Sequence, residues 1–533
     1  MTQTTTPATS ADGTPGTMSH RQIMVVFSGL MLGLLLAALD QTIVSTALWT
    51  IVKDLDPVNG ISHMSWVITA YLLASTASTP LYGKISDLFG RKPVYMFAIA
   101  LFVLGSILSG LSQNMGELIT FRAVQGLGAG GLMGLTFAII GDVVAPRERG
   151  RYQGYFGGVF ALASVAGPLL GGFFTDRHAL FGLATNWRWV FYINVPLGVA
   201  ALMVVSTVLR MSTQRRQHTI DYAGAATMVA GVSALLMVTV WGGARYAWTS
   251  PTIIGLILGG LGLLGVFVWI QSRAVEPILP LHLFRTSVFR VANAISFIIG
   301  FAMFGTIIYI SLYLQIVDNA TPTAAGLRLL PLMVGVLGAS ITSGRMISRM
   351  GRYKIFPILG TGVATVGMGL LGLLRSDTGS VLLSLYMFVL GVGLGLVMQV
   401  LVLAVQNAVN PRDMGTATTA TTFFRSMGGS FGTAVFGAIL TNRLSANLPH
   451  TLAGQAGGPP NPAKLQALPP AVRQLVIDAF VRATNVVFLT AAAVILVAFA
   501  LSFLLKEIRL RGADEQHAGA REARLEPTPD AVG

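Results

Sequence analysis

Long apolar runs separated by short polar loops recur along the whole chain. A helix needs roughly 20 predominantly apolar residues to cross a bilayer, and the runs predict spans near residues 22–46, 63–82, 93–112, 117–140, 152–174, 188–209, 222–242, 252–271, 289–314, 323–346, 355–375, 380–404, 415–440 and 485–505. That is fourteen spans. The polar, Thr-rich start (1–21) lacks the basic region of a signal peptide and reads as a disordered tail.

Two loops repeat a pattern. "GKISDLFGRK" (83–92) and "GRMISRMGRY" (344–353) both read Gly, six residues, Gly, Arg. If they correspond, the chain is two six-helix bundles, 22–210 and 281–506, with helices 7 and 8 inserted at 211–280 and a second tail at 507–533. Duplicated halves around a midplane site are a common transporter plan. The longest external loop, 441–484, contains "AVRQLVIDAFVRATN", which places Val472, Leu475, Ala479 and Phe480 on one helical face. A short interfacial helix is expected there, with a lid over the exit path as the alternative.

Composition then fixes the class. Of 533 residues, 53% are hydrophobic and 11% charged, about half the charged share of a soluble protein. The chain is an all-α polytopic membrane protein. Its net charge of +14 would suit nucleic acid only if gathered into a patch, whereas here Lys and Arg are scattered among short loops. With a cytoplasmic N-terminus, about 23 of the 35 fall on the cytoplasmic side, so the positive-inside bias explains the charge and places both tails there. The absence of Cys excludes disulfides and thiolate chemistry. The excess of Arg over Lys fits a bacterial source, hence a bacterial cytoplasmic membrane.

Asp40 stands at the far end of the first apolar run. A charge there costs at least about 2.5 kcal/mol, so such residues usually face a protein interior and act. Arg122 is also intramembrane and stays protonated at any relevant pH. Gln125, almost one turn on, is a candidate hydrogen-bond neighbour.

These residues sit in recognisable stretches: "LDQTIVSTAL" in span 1, "GKISDLFGRK" after span 2, "RAVQGLGAGG" in span 4 and "AGPLLGG" in span 5. With "WRWVFYINVPLG" and "FFRSMGGSFGTAVFG", they make the chain resemble the 14-helix drug:proton antiporters (EmrB/QacA type) of the major facilitator superfamily. One departure is Trp49, where the family usually has Pro. The resemblance implies that Asp40 couples protons and that Arg122 approaches it. Desolvation disfavours an ionised carboxyl, so an acid in an apolar cleft can hold a proton or a cation but not both comfortably. A fixed ion pair for Asp40, and plain carbonyl bonding for Arg122, are the alternatives.

The resemblance also implies that the loop with Gly83, Asp87, Gly90, Arg91 and Lys92 latches one conformation, with Asp87 near Gly415; in the second loop Ser348 stands where Asp87 does. Gly167, Gly171 and Gly172 allow close helix approach and Pro168 allows a bend; in the family this motif goes with export. Candidates for a substrate cavity are Trp66, Tyr71, Gln125, Tyr309, Tyr313, Gln399, Gln406 and Arg425. Aromatic and amide groups suit bulky amphipathic ligands, cations included, although Trp and Tyr also serve as interfacial anchors. Arg425 suits an anionic ligand group or helix carbonyls.

Asp318 and Asp413 lie near helix ends, so spans 9–14 have no deep acid; family members that carry dications often have a second membrane acid in that half, so the resemblance implies a cargo of monovalent cations, neutral amphiphiles or lipids. No Walker loop occurs, and neither a metal-ligand cluster nor a nucleophile and base arrangement, so no catalytic residues, cofactor or metal are expected. The expectation is a monomeric, proton-driven exporter in a lipid bilayer. The alternatives are a lipid or metabolite exporter, a proton symporter for uptake, and a non-transporting scaffold.

Overall fold

The computed structural model describes residues 20–56, 60–175, 179–180, 183–209, 221–243, 245–448, 465 and 468–510. Most of both expected tails, and the stretch 449–464, lie outside the described residues.

Nearly all of the described chain is helical, because inside a bilayer only a helix or a closed barrel satisfies its own backbone. The first part comprises α1 (His20–Leu55), α2 (Gly60–Phe89), α3 (Arg91–Leu111), α4 (Met115–Val143), α5 (Pro146–Gln153), α6 (Phe156–Thr175), α7 (Trp189–Tyr192) and α8 (Asn194–Val208). Then follow α9 (Tyr222–Trp241) and α10 (Pro251–Gln271). The last part comprises α11 (Ser287–Ile316), α12 (Pro322–Arg328), α13 (Leu330–Met350), α14 (Ile355–Leu371), α15 (Ser380–Ala408), α16 (Met414–Asn447) and α17 (Pro470–Phe503). Among the described residues, extended structure is confined to a small ribbon, β1 (Ala179–Leu180) against β2 (Leu183–Ala184), and one isolated bridge.

Among the described residues, eleven candidate spans are long and apolar enough to cross a membrane. Three expected spans fall outside that class. α14 is apolar but has only 17 residues. The other two, α2 and α16, bury hydroxyls: Ser75, Thr76, Ser78 and Thr79 on α2, and Thr416, Thr418, Thr419, Thr421 and Thr422 on α16. Both are enclosed by other helices, so hydropathy alone understates them.

One apolar core gathers buried residues from Leu283 to Leu510, and a second gathers residues from Val26 to Leu209 with Val402. A smaller core seats Met228, Val232 and Leu236 of α9 against Ala77 of α2 and Phe423 of α16. Helix α10 leans on α9, tied to it by Asp221, whose carboxylate caps Gly224 and accepts from Gln271 Nε2 at 2.6 Å. Its Leu258, Leu261 and Trp269 point outward, as a lipid-facing helix requires.

The matched loops use their glycines alike. The second glycine of each, Gly90 and Gly351, has positive φ (92° and 68°), where a side chain would be strained. The first of each, Gly83 and Gly344, lies where the two parts of the chain touch.

The interfacial helix expected near 472–480 is not separate. Residues 470–503 form one helix, α17, with Ala479 and Phe480 buried but Leu475 40% exposed. The apolar face of that stretch simply continues the stripe Val476, Ala483 and Val487 into the C-terminal core, so a four-residue match to one face could not tell a surface helix from the first turns of a longer one.

Candidate functional site

Asp40 is fully buried in a polar cluster built from α1, α3, α4 and α8. Its Oδ2 meets the Arg122 guanidinium at 2.5 Å. Its Oδ1 accepts from Gln125 Nε2 at 2.8 Å and from Asn194 Nδ2 at 3.1 Å. Those two amides also donate to Ser106 Oγ at 3.1 and 3.0 Å, and that hydroxyl donates to the Phe191 carbonyl at 2.9 Å. Arg122 in turn donates to Gln125 Oε1 at 2.7 Å and to the Val67 carbonyl at 3.3 Å. A charge pair without water is stable only when its remaining donors and acceptors are satisfied like this.

The structure therefore brings Asp40, Arg122 and Gln125 together and adds two residues that the sequence reading missed. Asn194 had a readable signal, an amide inside an apolar run; Ser106 had none, since serine is common in membrane helices. Tyr71 belongs here too. Its ring lies 4.2 Å from the Arg122 guanidinium carbon and its hydroxyl donates to the Ala37 carbonyl. It is 1% exposed, packed within this cluster.

A second constellation joins the ends of α2 and α16. The Asp87 carboxylate accepts from the backbone N–H groups of Gly415 (3.1 Å) and Thr416 (2.8 Å) and from Thr416 Oγ1 (2.8 Å). These are the opening residues of α16, where the unsatisfied N–H groups favour an anion. Arg91 bridges Asp87 and Asp142 at 2.5 Å each. Burial pushes the Asp87 carboxyl above its ordinary range, opposed by Arg91 and Thr416.

Around it the same face is closed. A Cβ on Gly83 would meet the Gly415 carbonyl at 3.0 Å, one on Gly154 would meet the Ser340 carbonyl at 2.7 Å, and one on Gly344 would overlap the Gly150 carbonyl. Arg147 donates to the carbonyls of Ser348 (2.8 Å) and Arg349 (2.7 Å) at the end of α13. Lys92 departs from the expected latch: its Nζ donates to the Ser206 carbonyl of α8 at 2.7 Å, within its own half. Hydrogen bonds to charged groups contribute about 1.5–3 kcal/mol each, so Asp87→Asn, which surrenders the charge, should shift the equilibrium toward opening of this face by about tenfold. Spin labels on cysteines placed across the face, in a chain with no native Cys, should show a longer distance; an unchanged distribution would contradict the latch.

On α6 the glycines divide the work. Cβ atoms on Gly167 and Gly171 would strike Thr42 and Thr46 of α1, and Thr42 Oγ1 donates to the Ala163 carbonyl at 2.9 Å. Gly172 accepts, through its carbonyl, a bond from Thr175. Pro168 faces the other way, 3.1 Å from where a Cβ on Gly326 of α12 would sit.

The remaining candidates separate. Tyr309 and Tyr313 are buried in the C-terminal core, their hydroxyls donating to the carbonyls of Thr433 (3.2 Å) and Arg375 (2.7 Å). Gln406 is a bridge between halves, accepting from Gln153 at 3.0 Å and donating to the Phe137 carbonyl at 2.8 Å. Both tyrosines and Gln406 are nearly fully buried, because an apolar environment forces each polar group onto the nearest protein partner. Gln399 borders a narrow crevice with Gly150, Ser340 and Ser343, its Oε1 without a hydrogen-bond partner. Trp66 packs edge-on against Trp241 of α9, ring centroids 5.8 Å apart. Arg425 lies at the boundary between halves, its guanidinium carbon 6.0 Å from the Phe137 ring centroid.

The sequence profile of the Major Facilitator Superfamily matches residues 30–433. Multidrug transporter protein MdtP of Bacillus subtilis (strain 168) is 38% identical over 437 residues, covering 81% of this chain and 77% of that protein. Multidrug resistance protein 3 of the same organism is 34% identical over 505 residues, covering 92% and 96%. The proton:xylose symporter XylE of E. coli superposes with a TM-score of 0.62, covering 94% of this chain and 99% of its own, at 14% identity. The human organic anion transporter MFSD10 gives 0.63, with 90% and 99% covered, at 15% identity. At such identities the likeness is one of fold.

Proposed function

The chain belongs to the Major Facilitator Superfamily, and from that premise we propose that it exports amphipathic compounds, cationic or neutral, in exchange for protons by alternating access. The carrying observation is the buried carboxylate of Asp40, whose partners Arg122, Gln125 and Asn194 all lie in the same half. An acid bound within one half can change its protonation without breaking the contact between halves. When it takes up a proton, its attraction for Arg122 weakens, and the guanidinium turns to the Val67 carbonyl and the Tyr71 ring.

Coupling to the opposite half would run along α1. Thr42, two residues beyond Asp40, packs against Gly167 of α6, whose neighbour Pro168 meets Gly326 of α12. In this reading residues 22–210 and 281–506 rock as two bundles, with α9 and α10 riding between them among fourteen spans. In this reading the face closed by Asp87 and Gly344 is cytoplasmic, as the loop charges favour, and its closure is the state shut toward the cytoplasm. The protein works as a monomer in a bacterial cytoplasmic membrane, with both tails inside and no cofactor beyond the proton gradient.

Reconstituted protein should drive ethidium uphill when an inward proton gradient is imposed and stop when the gradient is collapsed with an ionophore. Ethidium flux indifferent to the gradient would refute proton coupling. Lipid release exceeding dye efflux in the same vesicles would transfer the assignment to a lipid exporter of the same fold.

A further inference from the structure

We infer that Arg425 and Thr422 form a receptor for an anionic oxygen group, a carboxylate, on the amphipathic cargo. The assignment rests on the transport reading and narrows its neutral cargo to amphiphiles whose carboxylate is balanced by a cationic group.

Arg425 is 9% exposed and, among the described residues, makes no hydrogen bond or ion pair. Among the described residues no charged group offsets its burial. The sequence explains why: α11, α15 and α16 contain no Asp or Glu, and those on α4 are Glu117 and Asp142 near its ends. Asp142 is taken by Arg91. The contrast with Arg122, which is held by Asp40, Gln125 and a carbonyl, is chemical rather than positional. A guanidinium inside a membrane protein calls for an anion, a carbonyl or water, and its planar fork matches a carboxylate.

Thr422 supplies the second, independent sign. It is 2% exposed, and its Oγ1 has no hydrogen-bond partner. Other threonines of α16 bond back to a carbonyl one turn earlier: Thr419 to Gly415 at 2.9 Å, Thr421 to Ala417 at 3.1 Å and Thr433 to Gly429 at 2.9 Å. Thr422 does not, so its hydroxyl is left to something else. Thr418, Thr422 and Arg425 follow one another at four and three residues, which puts them on one helix face. Thr418 accepts from Gln406, which also donates to the Phe137 carbonyl of α4, so this face looks across the boundary between halves. A donor fork, a hydroxyl and an aromatic ring gathered there suit a ligand with a carboxylate attached to an apolar ring system.

Rhodamine B and its ethyl ester share the cationic ring system and differ in whether the carboxylate is free, so the acid is a zwitterion and the ester a cation. Equilibrium binding to detergent-purified protein needs no proton gradient. The wild type should bind the acid more tightly than the ester. Arg425→Gln should weaken acid binding by about tenfold or more, as loss of a charged hydrogen-bond partner does, and leave the ester within about twofold. Arg425→Lys should fall between. Thr422→Val removes a hydroxyl that holds nothing in the protein, so the fold is untouched and acid binding should drop by a few fold. A wild type that shows no preference for the acid, binds neither dye, or loses both equally on substitution overturns the assignment. Acid preference that persists in a protein without proton-driven flux would overturn only the coupling reading.

Discussion

Asp40→Asn should abolish uphill transport in proteoliposomes with an imposed pH gradient while cargo binding is partly retained. The amide keeps the shape and an oxygen that can accept from Gln125 and Asn194, which now donate to Oδ1 at 2.8 and 3.1 Å. What it loses is titration. One charge moved through 100 mV is worth about 2.3 kcal/mol, a roughly 50-fold concentration ratio per proton, and that ratio should collapse to unity. Breaking a buried ion pair can itself cost about 3–5 kcal/mol, so destabilisation must be separated from loss of coupling. Downhill exchange of labelled for unlabelled cargo does this: the variant should still exchange, which an unfolded protein cannot. A variant that pumps as well as its parent would remove Asp40 from the mechanism.

The second large effect is expected at Gly344. A Cβ there overlaps the backbone carbonyl of Gly150 and comes within 2.7 Å of its carbonyl carbon, and backbone cannot rotate aside as a side chain can. Replacing a helical glycine with alanine usually stabilises the helix by about 1 kcal/mol, so Gly344→Ala should leave thermal stability equal or higher. The closed face should nonetheless be disfavoured, since overpacking costs about 1–3 kcal/mol. For Gly344→Val the population of the closed state should fall by about tenfold or more, and flux with it. Spin labels on cysteines at Glu148 and Met350, both exposed, would report a longer distance. Unchanged distance and flux would mean that the approach of α5 to α13 has no part in the cycle.

Much of the site was legible. Asp40, Arg122 and Gln125 stood out because each is costly in hydrocarbon, and the loops at 83–92 and 344–353 because their glycines repeat. What stayed illegible shares a cause. Tyr71, Gln406 and Lys92 were recognisable as polar groups that needed partners, yet spacing does not say which carbonyl or carboxylate lies opposite. Tyr71 serves Arg122, Gln406 serves Gln153 and Phe137, and Lys92 serves Ser206. Likewise, the apolar face near Phe480 was visible, but not that it continues into α17.

By itself the sequence determined that this chain lives in a membrane, roughly where its helices run and which side chains are too polar to face lipid. These follow from transfer costs that add up residue by residue along a segment, so local composition suffices. Only the tertiary structure decided that Asn194 and Ser106 complete the Asp40 cluster, that Gly344 lies against Gly150, and that Arg425 has no counter-charge among the described residues. Those facts depend on which helices meet and at what register, a matter of packing between segments tens to hundreds of residues apart, on which hydropathy is silent.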